Sequence, residues 1–159
     1  MGIQHQIEPV YDNQSRILIL GSFPSVKSRE SGFFYGHPQN RFWKVLAAIC
    51  DEKLPETKEE KITFLLQNQI AVWDVIASCD IEGSSDSSIK NVIPADISRI
   101  LDTADIREIY CNGTTAYNLY RKHLEKLTGR KATKLPSTSP ANAARNLDKL
   151  IVEWRCKIF

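Results

Sequence analysis

The stretch RILIL at residues 16–20, followed directly by GSFPS at residues 21–25, indicates the fold most clearly. A short, uniformly apolar run is typical of a central parallel strand that is buried on both faces. A glycine and two serines are typical of a tight turn that carries small hydrogen-bonding groups. The stretch therefore predicts a buried strand over residues 16–20 with a polar turn at its carboxyl end.

Three further apolar runs end in polar or glycine-containing turns. They are residues 70–73 before Asp74, residues 106–111 before Asn112 and Gly113, and residues 132–135 before PSTSP. Apolar residues at helical spacing lie between or after these runs, over residues 42–49, 58–66, 116–124 and 143–154. The alternation predicts βαβ units. We therefore expect an α/β fold, a three-layer α/β/α sandwich with a central four-stranded parallel sheet, formed by residues 1–159 as a single domain.

Composition excludes several classes of protein. Hydrophobic residues make up 42% and charged residues 25% of the chain, which is typical of a globular domain. No apolar run is long enough for a membrane helix, and the first residues lack the apolar region of a secretory signal. The four cysteines form no CxxC pair and the three histidines do not cluster, so we expect no metal and no cofactor. We expect a cytoplasmic monomer.

A basic cluster leaves two alternatives open. The net charge of +2 is too small to indicate a dedicated nucleic-acid carrier, but an enzyme that visits DNA needs only a local basic surface. The cluster is either such a surface or an ordinary solvated helix face. Its members are Arg121, Lys122, Lys126, Arg130, Lys131 and Lys134.

The four turns after the strands are the predicted site, because ligands of open α/β sheets bind at the carboxyl ends of the strands. Phe33, Phe34 and Tyr35, in a loop expected over residues 26–39, form either a platform for a planar ring or a hydrophobic plug. Asn40 either caps the next helix or holds a water through its amide oxygen. The serines of the fourth turn precede a helix expected to begin near Pro140, where they form either a phosphate seat or simple caps.

Four segments together resemble the uracil-DNA glycosylase superfamily. They are GSFPS (21–25), GHPQNRFWKV (36–45), the Asn112-Gly113 turn and LPSTSPANA (135–143). HPQNRFWKV is similar to the mismatch-specific uracil/thymine-DNA glycosylases. GSFPS and LPSTSPANA, with VWDVIASCD (72–80), are most similar to the hypoxanthine (deoxyinosine)-DNA glycosylase branch. The resemblance extends from Ile17 to about Leu150.

This resemblance implies a monofunctional enzyme that flips a deaminated base, most simply hypoxanthine, out of double- or single-stranded DNA and hydrolyses its glycosidic bond to start base excision repair. The chain departs from other branches at two positions. Phe23 stands where the mismatch-specific enzymes have a catalytic Asn, and Leu135 stands where the uracil-specific enzymes have a histidine. In the hypoxanthine branch the catalytic group is the Asn that matches Asn40, so Asn40 is the predicted catalytic residue.

The other roles follow the same resemblance. Tyr35 would stack on the flipped base, backbone amides around Ser22 and Phe23 would bind its carbonyl oxygen, and Asp74 would accept the ring N–H that hypoxanthine has and adenine lacks. Asp74 could equally be a structural cap, and Asn112, a further base-binding residue, could simply form a turn.

The predicted contacts to DNA phosphates come from Ser25, Ser137 and Ser139. The second motif of the family usually supplies a bulky apolar wedge for the minor groove, and this chain has Ser139 and Pro140 there.

Two other functions stay open at this stage. They are a mismatch-specific uracil/thymine glycosylase, which Phe23 argues against, and a nucleic-acid-binding α/β domain without activity.

Overall fold

The computed structural model describes residues 2–159 and contains two sheets. Its strands are β1 (Ile3–Gln4), β2 (Ile17–Gly21), β3 (Ile70–Asp74), β4 (Ile76–Asp80), β5 (Lys90–Pro94), β6 (Glu108–Asn112) and β7 (Thr133–Leu135). Its helices are α1 (Val26–Ser31), α2 (Phe42–Ile49), α3 (Lys58–Gln67), α4 (Ser98–Leu101), α5 (Thr114–His123), α6 (Glu125–Thr128) and α7 (Leu147–Ile158). A short 3-10 turn covers Asp86–Ser88.

The larger sheet has four parallel strands in the order β3-β2-β6-β7 and is flanked by helices, which confirms the predicted fold class. Each strand lies within two residues of its predicted bounds. Leu18, Ile19 and Leu20 of β2 are fully buried, as expected for a central strand that is covered on both faces. The carboxyl ends of β2 and β3 are in register, so that Gly21 pairs with Asp74.

The smaller sheet is antiparallel, in the order β1-β4-β5, and the sequence analysis did not predict it. β4 begins two residues after β3 ends, and β1 is two residues long, so neither gives a separate hydrophobic pattern. Ile3 of β1 pairs with Cys79 of β4. This sheet therefore brings the first residues of the described chain to the carboxyl end of β3.

An expected loop and an expected helix start were wrong. The loop expected over residues 26–39 contains α1, whose N-cap Ser25 accepts a hydrogen bond from the Ser28 amide at 3.1 Å. The last helix begins at Leu147, capped by Asn146, and not near Pro140.

The Arg41 guanidinium explains the late start of α7. It donates to the carbonyl oxygens of Ser139 at 2.7 Å and Asn142 at 3.1 Å, and also to that of Arg145. The Ser139 oxygen also accepts the Asn142 amide at 3.0 Å, which closes a turn in place of the bond to the amide four residues on that an α-helix needs. Residues 136–145 consequently stay in an irregular conformation, and the phosphate seat predicted for a helix beginning near Pro140 has no helix N-terminus behind it.

Most of the basic cluster lies at the end of the sheet opposite the predicted site. α5 starts at the carboxyl end of β6 and runs back, so its last residues and α6 reach the amino ends of the strands. Arg130 Nη1 donates to the Ile106 carbonyl oxygen at 2.6 Å, just before β6 begins.

Among residues 2–159, no helix is long and apolar enough to cross a membrane.

Candidate active site

A cavity of about 380 Å³ opens at the carboxyl ends of the parallel strands. Residues at or just after the ends of the four parallel strands line it, because these ends meet at one edge of the sheet. Residues from the segment 81–87, which follows β4, complete the lining. All nine residues named from the sequence line it: Ser22, Phe23, Ser25, Tyr35, Asn40, Asp74, Asn112, Ser137 and Ser139. The chain therefore brings the predicted site residues together, and their individual roles remain predictions.

The three consecutive aromatic residues have different surroundings. Phe33 and Phe34 are buried in the core, which fits a hydrophobic plug, and Phe33 stacks on Trp43 with ring centroids 6.1 Å apart. Tyr35 lines the cavity with one face stacked on Phe42, at 3.8 Å between centroids and 16° between planes. Phe33 and Phe34 thus form a hydrophobic plug, and Tyr35 is the one ring of the three that could serve as a platform.

The backbone holds Tyr35 in an uncommon conformation. Its φ is +52°, a region that few residues other than glycine adopt. The following residue, Gly36, is tied down by a hydrogen bond from its amide to Ser28 Oγ at 2.9 Å. α1, which carries Ser28, therefore fixes the loop that presents the Tyr35 ring.

The Tyr35 hydroxyl is a buried donor that is left free. It has no hydrogen-bond partner among residues 2–159. Burial raises the pKa of the phenol and the nearby Asp74 carboxylate raises it further, whereas the neighbouring Asn112 side chain, which forms no hydrogen bond of good geometry with it, lowers it less, so the proton stays on the oxygen. A buried polar group without a partner costs free energy unless a ligand satisfies it.

Two hydrogen bonds to its amide oxygen orient the Asn40 side chain. Oδ1 accepts hydrogen bonds from the Phe42 amide and from Thr138 Oγ1, both at 2.9 Å. If the oxygen and the NH₂ group exchanged places, two donors, the NH₂ group and the Phe42 N–H, would point at each other, so the orientation is fixed. A carbonyl oxygen has two lone pairs, and both are used. The amide oxygen is therefore committed to the protein, and the group left for a ligand is the Asn40 NH₂, which has no partner in residues 2–159.

Thr138 is a site residue that the sequence analysis missed. It is 0% exposed and connects the two asparagines of the site. Asn112 Nδ2 donates to Thr138 Oγ1 at 3.0 Å, and the Thr138 amide donates to Asn112 Oδ1 at 3.1 Å. Because the hydroxyl accepts from Asn112, its own proton is directed to Asn40 Oδ1. LPSTSPANA contains Thr138, but nothing in that string marks it as buried.

Asp74 is held by His5, the second residue that the sequence analysis missed. His5 Nε2 lies 2.7 Å from Asp74 Oδ2, and the two side chains are 3% and 5% exposed. The pair is 69 residues apart along the chain, so no local pattern could reveal it. A Cβ at Gly21 would lie 2.4 Å from Asp74 Oδ1 and 3.0 Å from Tyr35 Oη. Glycine at position 21 therefore leaves the space in which the carboxylate and the phenol approach each other.

The predicted phosphate-binding serines all make local turn or cap contacts. Ser25 caps α1, Ser137 Oγ accepts from the Ser139 amide, and Ser139 Oγ accepts from the Ala141 amide, each at 3.1 Å. Ser22 Oγ lies 3.5 Å from Asp86 Oδ1 at the rim, and burial raises the pKa of that carboxyl.

Among residues 2–159, no group of His, Cys, Asp and Glu is arranged to hold a metal ion.

Comparison with known proteins identifies the family. Residues 8–158 match the model of the uracil DNA glycosylase superfamily. A protein of Methanosarcina acetivorans named hypoxanthine DNA glycosylase is 33% identical over 141 residues, which cover 88% of this chain and 89% of that protein. A protein of the same name from Methanosarcina barkeri is 36% identical over 107 residues, which cover 66% and 68% of the two chains.

A solved structure agrees with these matches. The solution NMR structure of a candidate uracil DNA glycosylase from Methanosarcina acetivorans superposes with a TM-score of 0.82 at 32% sequence identity. The superposition covers 98% of this chain and 96% of the other. The family match thus extends over almost the whole sequence and the whole fold, and this chain belongs to the uracil DNA glycosylase superfamily.

Proposed function

We propose that this protein excises hypoxanthine from DNA by hydrolysing its N-glycosidic bond, which leaves an abasic site. The observation that carries the proposal is the set of groups that line one cavity: the Asp74 carboxylate, the unpartnered Tyr35 hydroxyl and the free Asn40 NH₂. The two Methanosarcina relatives that bear the name hypoxanthine DNA glycosylase support it.

A flipped base would be held first by stacking. Tyr35 already stacks on Phe42 and lines the cavity, so a base would stack on the opposite face of its ring. Stacking of a base on an aromatic side chain contributes about 1–3 kcal/mol and does not depend on base identity. A cavity of about 380 Å³ is within the usual range for small planar ligands.

Selectivity would come from the edge of the base. Hypoxanthine carries a proton on N1, next to its C6 carbonyl, whereas adenine has a lone pair at N1. Asp74 Oδ1 would accept the N1–H of hypoxanthine and would repel the N1 lone pair of adenine. A site that is built around such a bond discriminates strongly, because the wrong base leaves its buried polar groups unpaired.

Bond cleavage would depend on the Asn40 NH₂. The glycosidic bond breaks through an oxocarbenium-like sugar and a departing base anion, and donors aimed at the developing charge lower that barrier. The Asn40 amide oxygen is committed to Phe42 and Thr138, so a water held by that oxygen is a less suitable role than a donor to the leaving base. The sugar cation is reactive enough to be captured by a water without a strong base.

Contacts to the DNA backbone would be made by Ser25, Ser137 and Ser139 at the rim. The Ser137 and Ser139 oxygens accept local backbone hydrogen bonds, which orients both hydroxyls and leaves their protons for a phosphate oxygen. The Ser25 hydroxyl donates to Ser28 Oγ at 3.1 Å, so it would have to turn away from Ser28 to donate to a phosphate. We propose these three as DNA-binding residues that fix the register of the strand, and the deep cavity as the part that reads the base.

A panel of duplexes tests the function. Five duplexes of one sequence would carry hypoxanthine, xanthine, uracil, adenine or an abasic analogue at the same position, and released base would be measured by chromatography. We expect hypoxanthine to be released fastest and adenine to be released far more slowly. Faster release of uracil would indicate the mismatch-specific activity, and release of no base from any duplex would refute the glycosylase proposal.

A further inference from the structure

His5 lies beneath the base-reading carboxylate without lining the cavity. β1 ends at Gln4, and the His5 amide donates to the Ala77 carbonyl oxygen at 2.8 Å, which fixes the backbone against β4. The imidazole then reaches Asp74 Oδ2 at 2.7 Å in a nearly water-free environment. The N-terminal strand thus delivers one side chain to the site from behind.

Hydrogen bonding defines the tautomer of His5. The Ile7 amide donates to His5 Nδ1 at 3.2 Å, so Nδ1 is an acceptor and carries no proton. The proton of the neutral ring is therefore on Nε2 and is donated to Asp74 Oδ2. One carboxylate oxygen is occupied by a donor from the protein, and Oδ1, beside Gly21, is left for the cavity.

Aromatic side chains hold the imidazole in place. Its ring centroid lies 5.8 Å from Phe23 and 6.3 Å from Trp73, both edge-to-face, and 6.1 Å from Phe34. By the resemblance, Phe23 stands where the mismatch-specific enzymes have a catalytic Asn, and in this structure its ring packs against His5. This packing leaves the imidazole little freedom to leave Asp74.

We propose that His5 is a positioning residue that determines base selectivity by keeping Asp74 a hydrogen-bond acceptor; this inference rests on the proposed function. A buried carboxylate oxygen that loses its donor favours taking up a proton, and a protonated carboxyl is a donor. Such a donor would satisfy N1 of adenine, and a freed carboxyl could also rotate away from N1–H of hypoxanthine. His5 therefore acts through Asp74 on the choice between the two bases.

Two substitutions test this role. His5→Phe keeps an aromatic ring among Phe23, Phe34 and Trp73 but has no donor, whereas His5→Gln can place its side-chain NH₂ near the position of Nε2. Single-turnover excision would be measured on duplexes in which hypoxanthine or adenine faces an abasic analogue, so that base pairing does not contribute. Thermal unfolding of each variant would establish that it is folded.

The ratio of hypoxanthine to adenine excision is the decisive quantity, because a general loss of structure lowers both rates together. We expect the ratio to fall by about tenfold or more in His5→Phe and to stay within about threefold in His5→Gln. An unchanged ratio in folded His5→Phe would overturn the proposal, and so would a collapsed ratio in folded His5→Gln. Should His5→Phe not fold, His5→Leu, which also lacks a donor, takes its place, with the same fall in the ratio expected and an unchanged ratio again overturning the proposal. If the wild-type protein releases no hypoxanthine, the proposed function itself fails, which is a separate outcome.

Discussion

Replacing Thr138 by valine removes one hydroxyl from the buried chain of hydrogen bonds that joins Asn112 to Asn40. Valine keeps the branched shape at Cβ, so packing changes little. Asn112 Nδ2 loses its acceptor at 3.0 Å, and Asn40 Oδ1 loses one of its two donors at 2.9 Å. Because Thr138 is fully buried and a valine methyl would occupy the position of the hydroxyl, a water cannot take its place.

The expected loss of stability follows from these two bonds. Each contributes about 1 kcal/mol net, so Thr138→Val should lower the free energy of unfolding by about 2 kcal/mol. For a chain of this length that is a decrease of about 4–8 °C in Tm. The effect on catalysis should be larger, because Asn40 would be held at Oδ1 by the Phe42 amide alone, and a displacement of about 1 Å at a reacting group can cost about 100-fold in rate.

Thr138→Ser is the matched control. Serine keeps the hydroxyl and loses a methyl group, which costs about 1 kcal/mol in a buried position. Single-turnover excision of hypoxanthine, with enzyme in excess, should be about 10- to 100-fold slower in Thr138→Val and within about threefold of wild type in Thr138→Ser. If Thr138 only fills space, the order reverses and serine is the worse variant. Equal rates for valine and wild type would refute the positioning of Asn40 by Thr138.

Three further predictions concern other parts of the site and the core. Gly21→Ala should reduce excision by about 100-fold, because the added Cβ would lie 2.4 Å from Asp74 Oδ1; near-normal single-turnover rates would contradict this. Tyr35→Phe should leave Tm unchanged or slightly higher, since the hydroxyl has no partner, yet should slow excision; a lower Tm would show that the hydroxyl is already bonded. Burial raises the pKa of Cys111 to about 12, so a thiol reagent at neutral pH should label the exposed Cys156 and spare Cys111 until the protein unfolds, and rapid labelling of Cys111 would contradict its burial.

The parallel sheet could be predicted from the sequence because its signals are local. Each strand is a short apolar run, such as Ile17–Gly21, that ends in a turn with glycine, serine or asparagine. Parallel strands with all four turns at their carboxyl ends then determine where the turns meet. The contribution of the four turns to the cavity follows from this rule, whereas that of residues 81–87 does not.

The remaining features depend on contacts between distant parts of the chain. His5 meets Asp74 across 69 residues, and Thr138 meets Asn40 across 98. The start of α7 was misplaced because the Arg41 guanidinium, far away in sequence, binds the carbonyls of Ser139 and Asn142 in an irregular segment that precedes the helix. Such pairs leave no periodic pattern in a single sequence, since neither partner is unusual in its own segment.

The direction of the Asn40 amide could not be predicted either. From the sequence, the position of Asn40 before a helix indicates a cap, whereas the resemblance indicates a catalytic role. The sequence alone leaves these two roles as alternatives. The Asn40 oxygen accepts the Phe42 amide at the start of α2 and its NH₂ group has no partner among residues 2–159, so this contact is compatible with the proposed catalytic role. The structural contact thus determines which end of the amide is available for chemistry.

Excision of hypoxanthine by Asn40→Asp, compared with Asn40→Ala and wild type, tests the proposed role of this NH₂ group most directly. Aspartate keeps an oxygen for the Phe42 amide and for Thr138 but has no NH₂ group. We predict that both variants bind the duplex within about threefold of wild type and release hypoxanthine about 100-fold more slowly or worse, as expected when one donor to the leaving group is lost. Wild-type or faster release by Asn40→Asp would contradict this role and would indicate that an oxygen at position 40 activates water.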